Sequence, residues 1–280
     1  MSKKKPLRTT TKGASIGVGA LLVAAILWVV GGGGPYFTAT EQASPPASVT
    51  EVETSDSDLF DLDYAGGWVP VEAPNYYLVT GDAEVSFPQV GSGEYFYEGL
   101  DEDGRTQGAA ALITHEAYEE ARERGRQRMP SANPSGWGHN FETVIQALGD
   151  GNDYRGHFWN RSHLIADSLG GDAAVYNLVT GTRAQNVGIP NGSGGMAYTE
   201  NLAWKYFDDP TTRGCALYYA ANPVYEGDEL VPRTVEVDIL SCDASINEHV
   251  IVFNTALGFA IDYATGEAWP VRLGEPLAGD

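Results

Sequence analysis

The chain has 280 residues, 42% of them hydrophobic and 20% charged, with a formal net charge of −21 and two cysteines. That length suits one large domain or two small ones, and the apolar share predicts a sizeable core. The acidic excess argues against an ordinary nucleic-acid-binding surface, which leaves a basic footprint, and no CxxC or Cys/His spacing supports structural zinc.

Residues 1–13 form a basic segment with Lys3, Lys4, Lys5, Arg8 and Lys12, and an uncharged apolar run follows from Ala14 to Val30. About 17 residues is the low end for a helix that crosses a bilayer. With no acidic residue before Glu41, the basic flank puts the N-terminus in the cytoplasm. The run 14–30 therefore reads as an uncleaved transmembrane anchor. A cleaved secretion signal is the alternative: Gly31 to Gly34 are small, but no Ala-x-Ala site follows. A buried core helix is the third reading. The first two leave the remainder outside the cell, as a cell-surface domain or a secreted one. Residues 31–65, rich in Ser, Thr, Pro, Asp and Glu, bury too little to offset ordering entropy and read as a flexible, self-repelling linker. The folded domain is expected over 66–280, beginning at Gly66-Gly67-Trp68, and no internal repeat is evident.

Within it, Tyr76–Val79 and Glu94–Tyr97 read as short strands, and Ala109–Thr114 as a buried one. Thr114 can cap a helix over His115–Gly125, with acidic residues in its first turns and Arg122 and Arg124 in its last. Gly156–Ile165 reads as a strand, and Gly194-Gly195 precede a helix over Met196–Phe207 that stops before Asp208-Asp209-Pro210. Ala216–Tyr225 and Val231–Leu240 read as a hairpin turning at Glu226-Gly227-Asp228-Glu229. That hairpin sets Cys215 roughly opposite Cys242, close enough for a disulfide in an extracellular chain; two buried free thiols are the alternative. A last pair, Val250–Asn254 and Phe259–Tyr263, is joined through Leu257-Gly258. Strands and helices segregate rather than alternate, which predicts an α+β fold.

The charge is unevenly spread. From Glu41 to Asp103 there are about 15 acidic residues and no basic ones, whereas Arg105 to Arg213 holds about 12 acidic against 10 basic. After Gly214 only Arg233 and Arg272 oppose the acids. The near-neutral middle is where chemistry-bearing residues concentrate: Asn160-Arg161-Ser162-His163, then Asn177, then Arg183-Ala184-Gln185-Asn186. A histidine that titrates near neutrality, carboxamide oxygens and guanidinium groups are what cutting a phosphodiester with one hard cation needs. Such an ion keeps several waters, so one side-chain oxygen can hold it on a phosphate.

This segment resembles the DNA/RNA non-specific endonucleases, the ββα-metal or His-Me finger nucleases, and is most similar to streptodornase-like secreted DNases and DNA-entry nucleases. Asn160-Arg161-Ser162-His163 matches the family's Asp-Arg-Gly-His pattern with changes at its first and third positions. The likeness continues through His163–Gly171 and Leu178–Gly188. It is looser at Gly99-Leu100-Asp101, Gly104–Gly108, Asn222–Tyr225 and Asp262–Gly266. The resemblance implies a mixed or antiparallel sheet carrying a ββα-metal motif. His163 is then the general base, Asn186 the metal ligand, and Asn177 a second asparagine that orients the histidine or contacts substrate. Glu200 would hold metal-bound waters, or lie on the surface as an ordinary solvated glutamate. Arg161 and Arg183 are candidate phosphate clamps, Arg161 also counted with the catalytic set, or partners of Asp153, Asp167 or Asp172.

Tyr154-Arg155-Gly156-His157 also contains Arg-Gly-His. The apolar stretch after His163 and its distance from the two asparagines favour His163 as the base. Arg122, Arg124, Arg126 and Arg128 form the densest basic cluster; they read as a finger touching DNA backbone or as a solvated face. The implied activity is Mg²⁺-dependent endonucleolytic cleavage of double- or single-stranded DNA, and of RNA as a further substrate. Mn²⁺ is a substitute ion, 5′-phosphate and 3′-hydroxyl ends result, and no obligate protein partner is implied. The acidic surface and Asn160 in place of the usual aspartate leave a second reading, a catalytically weak nucleic-acid-binding or adhesion module on the same fold.

Overall fold

Alternation of buried and exposed side chains builds the centre of the molecule. The computed structural model describes residues 64–271, leaving aside 88, 149–150 and 190–191. The expected anchor at 14–30 and nearly all of the linker lie outside the described residues. Among the described residues no helix is long and apolar enough to cross a membrane.

Six antiparallel strands make the main sheet: β1 (Tyr77–Gly81), β2 (Tyr95–Tyr97), β3 (Ala109–Ile113), β8 (Leu217–Val224), β9 (Thr234–Ser241) and β10 (Asn247–Phe253), ordered β1-β10-β9-β8-β3-β2. Residues at every second position, such as Ala109, Ala111 and Ile113 or Val235, Val237 and Ile239, turn one face inward. That face packs against Leu164, Ile165, Leu169, Met196, Ala203, Tyr206 and Phe207. These residues belong to a loop after strand β6 (Trp159–His163) and to helix α3 (Met196–Asp208). The opposite face carries Ala110, Tyr218 and Ala220 under Phe87, whose amide donates to the Tyr218 hydroxyl at 3.1 Å.

Helix α1 (His115–Arg124) starts as its sequence predicts. The Thr114 hydroxyl accepts from the Ala117 amide at 3.2 Å, Glu116 lies in the first turn and Arg122 and Arg124 in the last. A second apolar cluster, with Trp68, Tyr76, Ile145, Phe158, Trp159, Phe259 and Tyr263, lies among three smaller strand pairs. These are β4 (Glu142–Ile145) with β5 (Tyr154–His157), β6 with β7 (Leu178–Thr182), and β11 (Phe259–Asp262) with β12 (Glu267–Pro270). The architecture is α+β with antiparallel sheets.

Two expected strands are laid out differently. Gly156–Ile165 is two strands, parted at Phe158, whose amide donates to Phe141 O while Asn140 bonds both the amide and the carbonyl of Trp159. Those bonds move the chain from one strand pair to the next. The final hairpin also re-pairs: β10 lies between β9 and β1, and β11 pairs with β12. Asn254 diverts the chain in between. Its carboxamide accepts from the Thr182 amide at 2.8 Å and donates to Thr180 O and Pro232 O, fastening this corner to β7. Cys215 and Cys242 are disulfide-bonded, with Cα atoms 5.5 Å apart, just beyond the paired Leu217 and Ser241.

Candidate active site

Strands β6 and β7 pair antiparallel, with Asn160 opposite Gly181 and His163 opposite Leu178, and the chain passes directly into helix α2 (Arg183–Val187). The Thr182 hydroxyl caps that helix by accepting from the Gln185 amide at 2.9 Å. Gly181 is required by close approach: a Cβ there would run into the Gln185 side chain and into Ser162 Cβ. The sequence thus forms a strand–strand–helix unit with α2 lying against β6.

On β6, Asn160 and Ser162 share one face, and both touch Asn186 of α2. Ser162 Oγ donates to Asn186 Oδ1 at 3.1 Å, and Asn186 Nδ2 reaches Asn160 Oδ1 at 3.5 Å, the long limit of a hydrogen bond. The side-chain Nδ2 of Asn160 is buried with no hydrogen-bond partner among the described residues. Asn186 Oδ1 keeps a second lone pair, since a carboxamide oxygen has two. Among the described residues no group of three His, Cys, Asp or Glu side chains could hold a metal ion. The donors present at this unit are therefore neutral oxygens, which suit a hard cation that retains most of its water.

His163 closes β6. Its Nε2 is buried with no hydrogen-bond partner among the described residues. Burial lowers the imidazole pKa below its ordinary 6.5; the Asp167 carboxylate works against this shift and the Arg126 guanidinium adds to it. The ring is thus held neutral at pH 7, with a nitrogen free to take a proton. Asp167, in the following loop, is itself pinned. Its oxygens accept from the Gln127 amide at 3.0 Å, Gln127 Nε2 at 2.7 Å and Arg124 Nη2 at 3.2 Å. Despite partial burial, these bonds hold its carboxyl below the usual range.

Asn177 is fully buried and spends its carboxamide on the same loop, accepting from the Ile165 amide and donating to the carbonyls of Ile165 and Asp172, each at 2.9 Å. Glu200 sits on α3, which packs against α2 and the loop after His163. The residue keeps some solvent contact, yet its carboxyl is so hemmed in by protein that desolvation raises its pKa to about 7.

Neither Arg161 nor Arg183 pairs with a carboxylate among the described residues. Arg161 donates to Pro130 O at 2.8 Å and lies over the Trp137 ring. Arg183 lies over the Tyr154 ring, its Nε buried without a hydrogen-bond partner among the described residues. His157 is exposed on β5, in a different strand pair from His163.

Gln127 was missed in the sequence, and Arg126, read there only as one of four arginines touching DNA backbone or forming a solvated face, acts on His163. The stretch after α1 does not project as a finger. Gln127 bonds Asp167 and Gly171 O, Thr180 bonds Ser135 O, and Ser135 bonds Leu230 O, strapping it across the site. Arg126 is left exposed near His163. The density of arginines at 122–128 was the available signal.

The ββα unit, with a neutral histidine at the end of its second-to-last strand and an asparagine on its helix, marks a nuclease fold. The chain belongs to the DNA/RNA non-specific endonuclease family, whose model matches residues 88–242, and is a hydrolase acting as an endonuclease. Among curated proteins it is 31% identical over 243 residues to a deoxyribonuclease of Streptococcus dysgalactiae subsp. equisimilis, spanning 70% of this chain and 73% of that one. Among solved structures it is similar to Sda1 nuclease with bound zinc ion, at 32% identity and a TM-score of 0.67, covering 73% of this chain and all (100%) of that one. NucA from Streptococcus agalactiae with magnesium ion bound shares the fold at 24% identity and a TM-score of 0.53, over 71% of this chain and 92% of that one.

Proposed function

We propose that this protein is a metal-dependent endonuclease that hydrolyses DNA, double- or single-stranded, with little sequence preference, RNA being the alternative substrate. The observation that carries this reading is that one ββα unit carries both His163, whose desolvated Nε2 has no hydrogen-bond partner among the described residues, and Asn186. His163 takes a proton from a water molecule as that water attacks phosphorus. The bond from phosphorus to the 3′-oxygen breaks, leaving a 5′-phosphate and a 3′-hydroxyl. Asn186 Oδ1 would hold the ion, Mg²⁺ with Mn²⁺ as substitute, and Glu200 would hold waters bound to it. When bound, the ion supplies charge neutralisation at the phosphate and the leaving oxygen. Arg126, Arg161 and Arg183 bind backbone phosphates, contacts that position a strand without reading its sequence. Asn177 acts one step back, by fixing the loop that follows His163.

We place the domain at the cell surface, tethered by the apolar run at 14–30, with secretion after cleavage as the alternative. The Cys215–Cys242 disulfide suits an oxidising compartment.

The test is plasmid nicking with and without EDTA, run beside two histidine variants. His163→Ala should lose at least about a hundredfold in rate, and EDTA should abolish cleavage by the parent. His157→Ala should keep most of its rate. A His163→Ala protein that nicks as fast as the parent would end this reading.

A further inference from the structure

We infer that the indole of Trp204 stacks on an unpaired nucleobase beside the cleaved phosphate, and so biases this enzyme toward single-stranded substrate. The inference rests on the site reading above and names the feature that would set strand preference.

Trp204 lies on α3 one turn beyond Glu200, at the i,i+4 spacing that puts both on one face of the helix. Its Nε1 donates to Ser168 Oγ at 3.0 Å. Ser168 is five residues past His163 in sequence and adjoins Asp167, whose charge reaches the imidazole. The ring is thereby pinned to the loop that borders the catalytic histidine.

Its exposure is not needed for packing. Trp68 and Trp159 are each 2% exposed and donate to the carbonyls of Ala73 and Gly266, as core indoles do. Trp204 is 36% exposed, while α3 meets the core through Ala203, Tyr206 and Phe207. A partly exposed indole is thus left beside the loop that follows His163, with its N–H edge already fixed. A ring held in place has little freedom left to lose on binding.

The chemistry of the ligand follows. Every nucleobase offers a flat π face, so stacking on an indole tolerates any sequence. That face is available only where the base is unpaired. Charge adds weight to the argument: a chain of net charge −21 has a smaller electrostatic contribution to nucleic-acid binding than a basic protein, and a contact that does not depend on phosphate charge gains in share.

The experiment uses the full chain and one labelled oligonucleotide of mixed sequence, either single-stranded or annealed to its complement. kcat/KM is measured for the parent, Trp204→Ala, Trp204→Phe and His163→Ala. In parallel, single strand is titrated into the parent and Trp204→Phe in EDTA, with quenching of tryptophan emission as the readout. Trp204→Ala should lose about tenfold on single strand, the scale of one lost stacking partner, and about threefold or less on duplex. Trp204→Phe should retain most of the single-strand rate, and quenching by single strand should shrink in it. Equal losses on both substrates would overturn the inference, as would a phenylalanine variant as poor as the alanine one or quenching that persists without the indole. If His163→Ala cuts both substrates normally, the site reading fails instead, and the quenching titration still reports on Trp204.

Discussion

Ser162 Oγ donates a hydrogen bond to Asn186 Oδ1 at 3.1 Å, joining a strand to the helix that follows its partner strand. With Asn160 on the other side of the same carboxamide, both positions that depart from the family's Asp-Arg-Gly-His pattern touch one residue. The two substitutions act together to fix the orientation of Asn186.

Replacing Ser162 by glycine, the residue of the family pattern, should therefore loosen that carboxamide. The Mg²⁺ concentration for half-maximal nicking should rise about tenfold, the low end for loss of a group that orients a metal ligand. The rate at saturating ion should fall less. A metal titration of nicking by Ser162→Gly checks this, and an unchanged half-saturation point would refute it.

The pH profile should report His163. Its pKa is lowered, chiefly by burial, so the acid limb of kcat/KM should fall below pH 6.5. Arg126 contributes to the lowering, so Arg126→Gln should move that limb to higher pH. The same change should raise KM, about tenfold if a charged hydrogen bond to phosphate is lost. Rates measured from pH 5 to 8 on both proteins decide it; a limb that stays in place or moves down contradicts the assignment.

Glu200 links pH to stability. Its folded pKa, about 7, lies above its ordinary 4.5. The folded state therefore holds the proton more tightly, and stability from this group is present at low pH and lost as pH rises through that window. Metal-free Glu200→Gln should show a flatter decline of Tm between pH 5 and 8 than the parent. Bound cation favours the charged carboxylate, so the same variant should bind Mg²⁺ more weakly, about tenfold or more. Thermal melts with and without the ion separate the two effects.

Asn177→Ala should remove three hydrogen bonds from backbone groups of the loop after His163, two of them fully buried. A loss of at least about 1–3 kcal/mol is expected, the cost of one such group left unsatisfied. Activity should fall through kcat, because the loop sets His163 and Asp167. Urea unfolding and steady-state kinetics on the same preparation test both, and a variant of parental stability would remove the positioning role.

Local signals in the sequence were the ones that carried through. Thr114 and the charge gradient along 115–124 specify their helix within one turn, and the turn at 226–229 specifies the β8–β9 hairpin and with it the cysteine pairing. The residues from Asn160 to Asn186 fall on one ββα unit because their spacing fits two short strands and a helix. Long-range pairing was not legible. Nothing near Phe259 signals that Asn254 ties the chain to β7 and hands β11 to β12. The contribution of Arg126 was hidden for a similar reason, since it depends on Gln127 meeting Asp167, 40 residues away.

The bridge between Cys215 and Cys242 closes a loop with a sequence separation of 27 residues, one short turn after the helix that carries Glu200 and Trp204. Chain-entropy reasoning assigns such a closure about 3 kcal/mol, a large part of the stability of an ordinary domain. Protein held in a reducing cytoplasm would go without that staple. On the cell-surface placement proposed above, export would do more than deliver the enzyme, because oxidation outside the cytoplasm would complete its fold. Until that moment the producing cell's own chromosome would face a less robust catalyst.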